Sequence, residues 1–247
     1  MRNNIESALN NFIESYCAEN SITPIWQTPI VRYASVDSPI IRKLKTLVIP
    51  EHIMPEDLLP TAKSILSYYL PFQDGVGKSN IGSDISSPVW ANAYSVTNTM
   101  AVQLNLMLVE YIKGLGYDAA TPGNPGRIAE GIFFSNWSQR HIAYAAGHGS
   151  FGLNNMLITE RGCCGRYFSI VTTLPFADEI YKGERCLYKR NGGCKICVKR
   201  CLNGALTTGG FDRELCSVMG DRNAKIYNGS TICGKCVVGL PCSNREP

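Results

Sequence analysis

The chain has 247 residues, 45% hydrophobic and 18% charged, with a formal net charge of +4 and 11 cysteines. This is ordinary globular composition, which excludes disorder and suits one domain of normal size plus a small appended one. No apolar run approaches the ~20 residues of a membrane-spanning helix, and MRNNIESALNNF has acidic and amide residues where a secretory leader needs an apolar core. A cytoplasmic protein is expected, with no membrane partner.

Ile5, Leu9, Phe12, Ile13 and Tyr16 recur at helical spacing, so residues 4–18 predict an amphipathic helix, with Cys17 packed on it. Pro24 and Pro29 end it, and IVRYASV (30–36) reads as a strand. A short helix is expected from Pro55, with Glu56 and Asp57 complementing its dipole. SILSYYLPF (64–72) reads as a buried strand and QDGVGKSNIGSDISSP as a loop, since GVGKS lacks P-loop spacing. The longest helix is expected over 92–115, with Val96, Met100, Leu104, Met107, Leu108, Tyr111 and Leu115 on one face. TPGNPGR is a further loop. Ser138 is a suitable N-cap for a helix over 139–146, and His141 and His52 are expected to be structural. GHGSFGLNN (147–155) is a glycine-rich loop. MLITERGCCGRYFSIVTTLPF (156–176) reads as two strands around a turn at 161–166, and the domain boundary falls near 177–184. Tyr68, Tyr69, Tyr94 and Trp137 are expected in the core. Arg161 and Arg166 flank Cys163 and Cys164 and would favour thiolate there, although a plain small-residue role is the simpler expectation.

The last quarter holds the other eight cysteines. CLYKRNGGCKICVKRC places Cys186, Cys194, Cys197 and Cys201; Cys216 stands alone; CGKCVVGLPC places Cys233, Cys236 and Cys242. Thiolates two residues apart on a tight loop converge on one metal centre. A further cysteine three residues on is how two-cluster ferredoxins send a ligand to the neighbouring cluster. Two 4Fe–4S clusters are therefore expected. By that crossover, Cys186, Cys194, Cys197 and Cys242 hold one, and Cys201, Cys216, Cys233 and Cys236 the other. A single zinc site on Cys194, Cys197, Cys233 and Cys236 is the alternative, and it leaves the remaining four without a role. A disulfide framework suits a short secreted chain instead. Two such clusters contribute a charge of about −4, so Lys182, Arg185, Lys189, Arg190, Lys195, Lys199, Arg200 and Arg213 have a local electrostatic task, and the basic balance does not call for nucleic acid.

HIAYAAGHGSFGLNNMLIT, then RYFSIVTTLPF, then the eight cysteines resembles the epoxyqueuosine reductase-like iron–sulfur proteins, which share their arrangement with the cobalamin-dependent reductive dehalogenases. PEDLLPTAKSILSYYLPF and the long helix also fit, so the resemblance extends over most of the chain. It implies an α+β protein: a nitroreductase-like N-terminal α/β domain (1–180), able to bind cobalamin or another small molecule, and a ferredoxin-like domain (181–247) that feeds it electrons from a donor such as ferredoxin or flavodoxin. Gly147, Gly149, Phe151, Gly152 and Asn154 would line the pocket, glycines letting backbone approach a flat macrocycle. His148 stands where that family more often has an apolar residue. It could contact a cofactor or donate a proton, and a loop histidine partly exposed to water is the plainer reading.

Three departures shape the functional expectation. IFFSNWSQR holds no acidic residue where epoxyqueuosine reductases carry one thought to supply a proton, with no Asp or Glu between Glu130 and Glu160. The sequence reaches Pro247 without the helical extension associated with tRNA binding in the longer enzymes, and these two departures speak against epoxyqueuosine reduction itself. Leu202, not proline, follows Cys201. The expected function is a reductase passing low-potential electrons through two clusters to a cofactor or substrate. The other possibility is a non-catalytic electron carrier or partner-docking protein.

Overall fold

The computed structural model describes residues 1–123 and 135–247. The loop read at 121–127 and the segment from Glu130 into IFFSNWSQR lie partly outside the described residues.

Helix α1 (Arg2–Glu19) buries Ile5, Leu9, Ile13, Tyr16 and Cys17 on one face, as their spacing requires. Strand β1 (Ile30–Ser35) is followed by three short helices, α2 (Pro39–Arg42), α3 (Leu44–Leu47) and α4 (Pro55–Leu58). In α4 the Asp57 carboxylate accepts from the Met54 N–H at 2.8 Å, fixing the predicted start. Strand β2 (Ser64–Pro71) is buried along its whole length. The segment read as a loop then opens with a short helix, α5 (Asp74–Ser79). Its two glycines cost helix about 1 kcal/mol each against alanine, and tertiary packing outweighs that: Gly77 lies against the Cys164 sulfur, where an added Cβ would stand 3.1 Å away.

The longest helix, α6 (Pro88–Gly114), starts four residues before the predicted onset, because Pro88 is itself a favoured first-turn residue. Met100, Leu104 and Leu108 are buried as expected, whereas Leu115 lies past the helix end and is exposed. After β3 (Ala119–Ala120) comes α7 (Gln139–Ala145). Ser138 occupies its N-cap position, but its hydroxyl pairs with His141 Nδ1 at 2.8 Å rather than with a helix N–H. The remaining elements are β4 (Ser150–Phe151), β5 (Leu157–Ile158), β6 (Gly165–Thr172), α8 (Leu187–Asn191), α9 (Ile196–Lys199) and α10 (Arg213–Ile226).

The protein is mixed α/β. Its larger sheet has the order β1-β2-β6-β3, with Ile30 antiparallel opposite Tyr69 and Ala119 opposite Thr172. The two strands expected around 161–166 exist but lie in different sheets: β5 pairs with β4, and β6 with the larger sheet. The reason lies between them. The N–H groups of Cys163 and Cys164 donate to the carbonyls of Cys242 and Ser243 at 2.8–3.0 Å instead of closing a hairpin.

The chain forms two compact units. The first comprises 1–70, 99–148 and 166–181. Its core gathers Ala34, Ile41, Leu44, Ile65, Ile142 and Val171 around Trp137, whose indole N–H donates to Ser169 Oγ at 3.0 Å. Tyr68 is fully buried with its hydroxyl on Asn105 Oδ1 at 2.8 Å, and Tyr69 stacks on Tyr167. Tyr94, expected with them in the core, is half-buried and lies in the second unit. His52 accepts from the Ser138 N–H at Nε2 (2.9 Å), which leaves its proton on Nδ1 facing the Ile53 carbonyl. Burial lowers its pKa from the usual 6.5, as befits a structural histidine. The second unit comprises 71–98, 149–165 and 182–247. Among the described residues no helix is long and apolar enough to cross a membrane.

Candidate metal centre

All eight clustered cysteines belong to the second unit, where several pack in one apolar cluster with leucines. Cys197, Leu206 and Leu240 form its centre, with Leu153, Cys201, Cys236 and Cys242 packed around them. All eleven cysteines of the chain are free thiols.

Four of the eight, Cys186, Cys194, Cys197 and Cys242, line one partly open pocket together with Gly152, Asn154 and Leu240. Cys186 stands at the N-terminal end of α8, Cys197 lies within α9, and Cys242 arrives from the last segment. The Leu153 N–H donates to Cys186 Sγ at 3.4 Å. The other four share a second neighbourhood: Cys233, Cys216 and Cys201 are the charges that act most on Cys236 after burial. Here the Leu206 N–H donates to Cys201 Sγ at 3.3 Å. Cys197 also acts on Cys236, so the two groups adjoin.

Burial pushes the Cys236 thiol up to about 12 and Cys197 up to about 11, with neighbouring sulfurs adding to both. At such values these two thiols ionise near neutral pH only with a cation beside them. Among the described residues no three His, Cys, Asp or Glu side chains close on a single metal ion.

The CGKC loop is held from a segment that the sequence reading treats only as a loop. Asn80, fully buried, donates from Nδ2 to the Cys233 carbonyl at 2.9 Å, and Ser86 Oγ reaches the same carbonyl at 3.0 Å. Lys235 turns inward and is 4% exposed; its ammonium donates to Asn80 O, Asn80 Oδ1 and Gly82 O at 3.0, 3.1 and 2.9 Å. Gly234, at φ +71°, packs so closely on the Trp90 indole that a Cβ there would overlap it. The signal for this support is the string of small polar residues in SNIGSDISSP, which supplies these hydrogen bonds. Helix α10 is a further element that periodicity does not announce, although Asp212 caps it by accepting from the Leu215 N–H at 2.8 Å.

Cys163 and Cys164 are fully buried rather than exposed to the flanking arginines. The Cys163 thiol donates to Cys242, which raises Cys163 and lowers Cys242; burial pushes Cys164 up to about 12. The expectation that neighbouring cations favour thiolate there fails, because desolvation and the sulfur partner outweigh them. Of the cations assigned to offset cluster charge, Arg185 is taken by carboxylates: its guanidinium contacts Glu246 at 3.0 Å and Glu160 at 3.8 Å.

The glycine loop divides between the two units after His148. In the first, an added Cβ on Gly147 would overlap the Glu179 carbonyl. His148 is fully buried rather than partly exposed, with Nε2 3.2 Å from the Ser67 carbonyl and its ring edge-on to Tyr167. In the second, a Cβ on Gly149 would overlap the Ile158 carbonyl, and one on Gly152 would stand 2.6 Å from Asn154 Oδ1. The Phe151 carbonyl accepts from Lys189 at 2.6 Å. Asn154, 4% exposed, donates to the Cys236 carbonyl at 2.9 Å and faces Cys163 Sγ at 3.8 Å. It lines the Cys186 cavity as well, and so ties the loop to both cysteine groups.

No family model and no curated protein matches the sequence. Solved structures do. An epoxyqueuosine reductase bound to an epoxyqueuosine-modified tRNA-Tyr stem loop superposes with a TM-score of 0.57 at 17% identity, over 96% of this chain and 66% of that one. The epoxyqueuosine reductase of Streptococcus thermophilus gives 0.57 at 16%, over 95% and 66%. A catabolic reductive dehalogenase in complex with 3-bromo-4-hydroxybenzoic acid gives 0.56 at 13%, over 88% of this chain and 30% of that one. The chain therefore has the fold of these reductases and spans about two thirds of the epoxyqueuosine enzymes.

Proposed function

We propose that the protein is an iron–sulfur reductase of the epoxyqueuosine reductase type. One 4Fe–4S cluster would sit on Cys186, Cys194, Cys197 and Cys242, and the other on Cys201, Cys216, Cys233 and Cys236. When bound, the clusters supply one-electron transfer; the chain fixes their place and surroundings. The carrying observation is that sulfurs from three separate stretches, Cys186, Cys194 with Cys197, and Cys242, line one pocket in the combination that a ferredoxin crossover demands. Backbone N–H groups of Leu153 and Leu206 donate to one sulfur of each set, an arrangement that favours the thiolate and tunes it. In this reading residues 181–247 are the ferredoxin-like part, and 1–180 the nitroreductase-like part that receives the electrons. The donor is of ferredoxin or flavodoxin class and the setting cytoplasmic.

The test is an anaerobic preparation assayed for iron, sulfide, zinc and cobalt. About eight iron and eight sulfide per chain are expected. Cys242→Ser and Cys201→Ser should each lose about half, and the two losses should affect spectroscopically different centres. Stoichiometric zinc without sulfide refutes the reading.

A second reading, a non-catalytic electron carrier, is favoured by the glycine loop. Gly147, Gly149 and Gly152 abut the chain's own atoms, which gives no support to a macrocycle packed against them. Cobalamin titration under reducing conditions separates the two: a retained, spectrally shifted corrinoid favours the reductase with a corrinoid site. A neighbouring structure holds a tRNA stem loop, so a mobility-shift assay with tRNA tests the expectation that nucleic acid is no partner.

A further inference from the structure

Resting on the two-cluster reading, we infer that the site of Cys201, Cys216, Cys233 and Cys236 holds its cluster at the higher reduction potential, so that the first electron from a low-potential one-electron donor settles there. An added electron makes a cluster more negative. Fixed positive charge nearby stabilises that state and fixed negative charge opposes it.

The two sites differ sharply in such charge. At the second, Lys235 stands in sequence between Cys233 and Cys236; it is buried, and its three hydrogen-bond partners are neutral carbonyl oxygens. Arg200, which immediately precedes Cys201, lies close enough to Lys235 for the two cations to oppose each other, and it packs on Gly239. Arg213, on the first turn of α10, interacts with Cys216. The carboxylate that acts on Lys235, Asp84, is on the surface and bonded to Arg222 at 2.7 Å.

Around the first site the balance is reversed. The Glu184 carboxylate, half-buried, accepts the Cys186 N–H at 2.7 Å, one hydrogen bond from a ligand. The adjacent buried cation, Arg185, is matched by Glu246 and Glu160. Lys189, Arg190 and Lys195 are exposed, where water and salt screen them. Poorly screened positive charge thus gathers at one site and carboxylate at the other. The difference is invisible in the cysteine spacing, which treats the two sets alike.

The experiment is an EPR-monitored titration of the holoprotein with dithionite, on a preparation whose iron and sulfide have been measured. Two one-electron waves are expected. Lys235→Met should lower the upper wave by a factor of about ten in its equilibrium constant, or 59 mV for one electron, and leave the lower wave in place. Lys235 also pins the 80–82 segment, so Arg213→Gln, which removes a charge without touching that segment, must lower the same wave. Glu184→Gln should raise the lower one. If the protein takes up no iron, the two-cluster reading fails and the inference with it. If iron is about eight per chain but the waves coincide, or the arginine and lysine variants move the lower wave, the inference alone is overturned.

Discussion

Replacing Asn80 by alanine tests whether the CGKC loop is held from outside the cysteine-rich segment. Asn80 makes three side-chain bonds: Nδ2 to the Cys233 carbonyl (2.9 Å), and Oδ1 from the Ser87 N–H (3.0 Å) and the Lys235 ammonium (3.1 Å). The three losses are unequal. The Cys233 carbonyl keeps Ser86 Oγ at 3.0 Å, so its cost is small. Lys235 keeps two of its three partners, but losing an acceptor from a buried ammonium costs about 1.5–3 kcal/mol. The half-buried Ser87 N–H adds about 1 kcal/mol. The sum, about 3 kcal/mol, corresponds to a fall of about 6–12 °C in Tm for a chain of this size. The assay is anaerobic thermal unfolding by circular dichroism, with iron measured before heating. A fall of less than about 2 °C with unchanged iron would refute the reasoning. Asn80→Asp should fall less, because it keeps both Oδ1 bonds and sets a carboxylate against Lys235.

Gly234→Ala sets a Cβ into the Trp90 indole at a backbone angle that side chains rarely adopt; iron should fall from about eight to about four per chain, the remaining centre being that of the Cys186 set. Iodoacetamide at pH 8 should leave Cys163 and Cys164 unlabelled in the native chain and label both after unfolding, since burial keeps Cys164 at about 12 and a Cys242 bond with burial raises Cys163; mass spectrometry reads the result. For His52 the folded pKa lies below the usual 6.5 because burial disfavours the cation. The unfolded chain therefore takes up the proton first, and the contribution, whole above pH 6.5, is lost as pH falls through 6.5 toward the folded value. Between pH 7.5 and 5.5, Tm should fall more for the wild type than for His52→Gln, and equal slopes would contradict this.

Much of the first unit was legible. The 3.6-residue recurrence of Ile5, Leu9 and Ile13, the buried run SILSYYLP and the Met100–Leu104–Leu108 stripe are local signals that tertiary packing merely uses. Spacing groups Cys186, Cys194 and Cys197 with Cys242, and these four line one pocket. What failed was long-range and polar. The pairing of β5 with β4 depends on Cys163 and Cys164 bonding to a carboxy-terminal segment some eighty residues on. The burial of Lys235 depends on carbonyls more than 150 residues away. No periodicity encodes either. Glycine is ambiguous in the same way: Gly147 and Gly149 read as clearance for a ligand, and an added Cβ at either would also meet the chain's own backbone.

The cysteine-rich unit is assembled from three stretches, 71–98, 149–165 and 182–247. On a ribosome the Asn80, Ser86 and Trp90 support emerges about a hundred and fifty residues before the Cys233–Cys236 loop it must hold. Under the two-cluster proposal, a cluster on Cys233 and Cys236 could be inserted only after that later loop has emerged. The same interlacing bears on gene fusion. A cassette cut at the start of the cysteine run carries all eight clustered cysteines and none of the scaffold behind the second CxxC, so grafting this module onto another protein calls for circular permutation or for co-expression of the missing stretches.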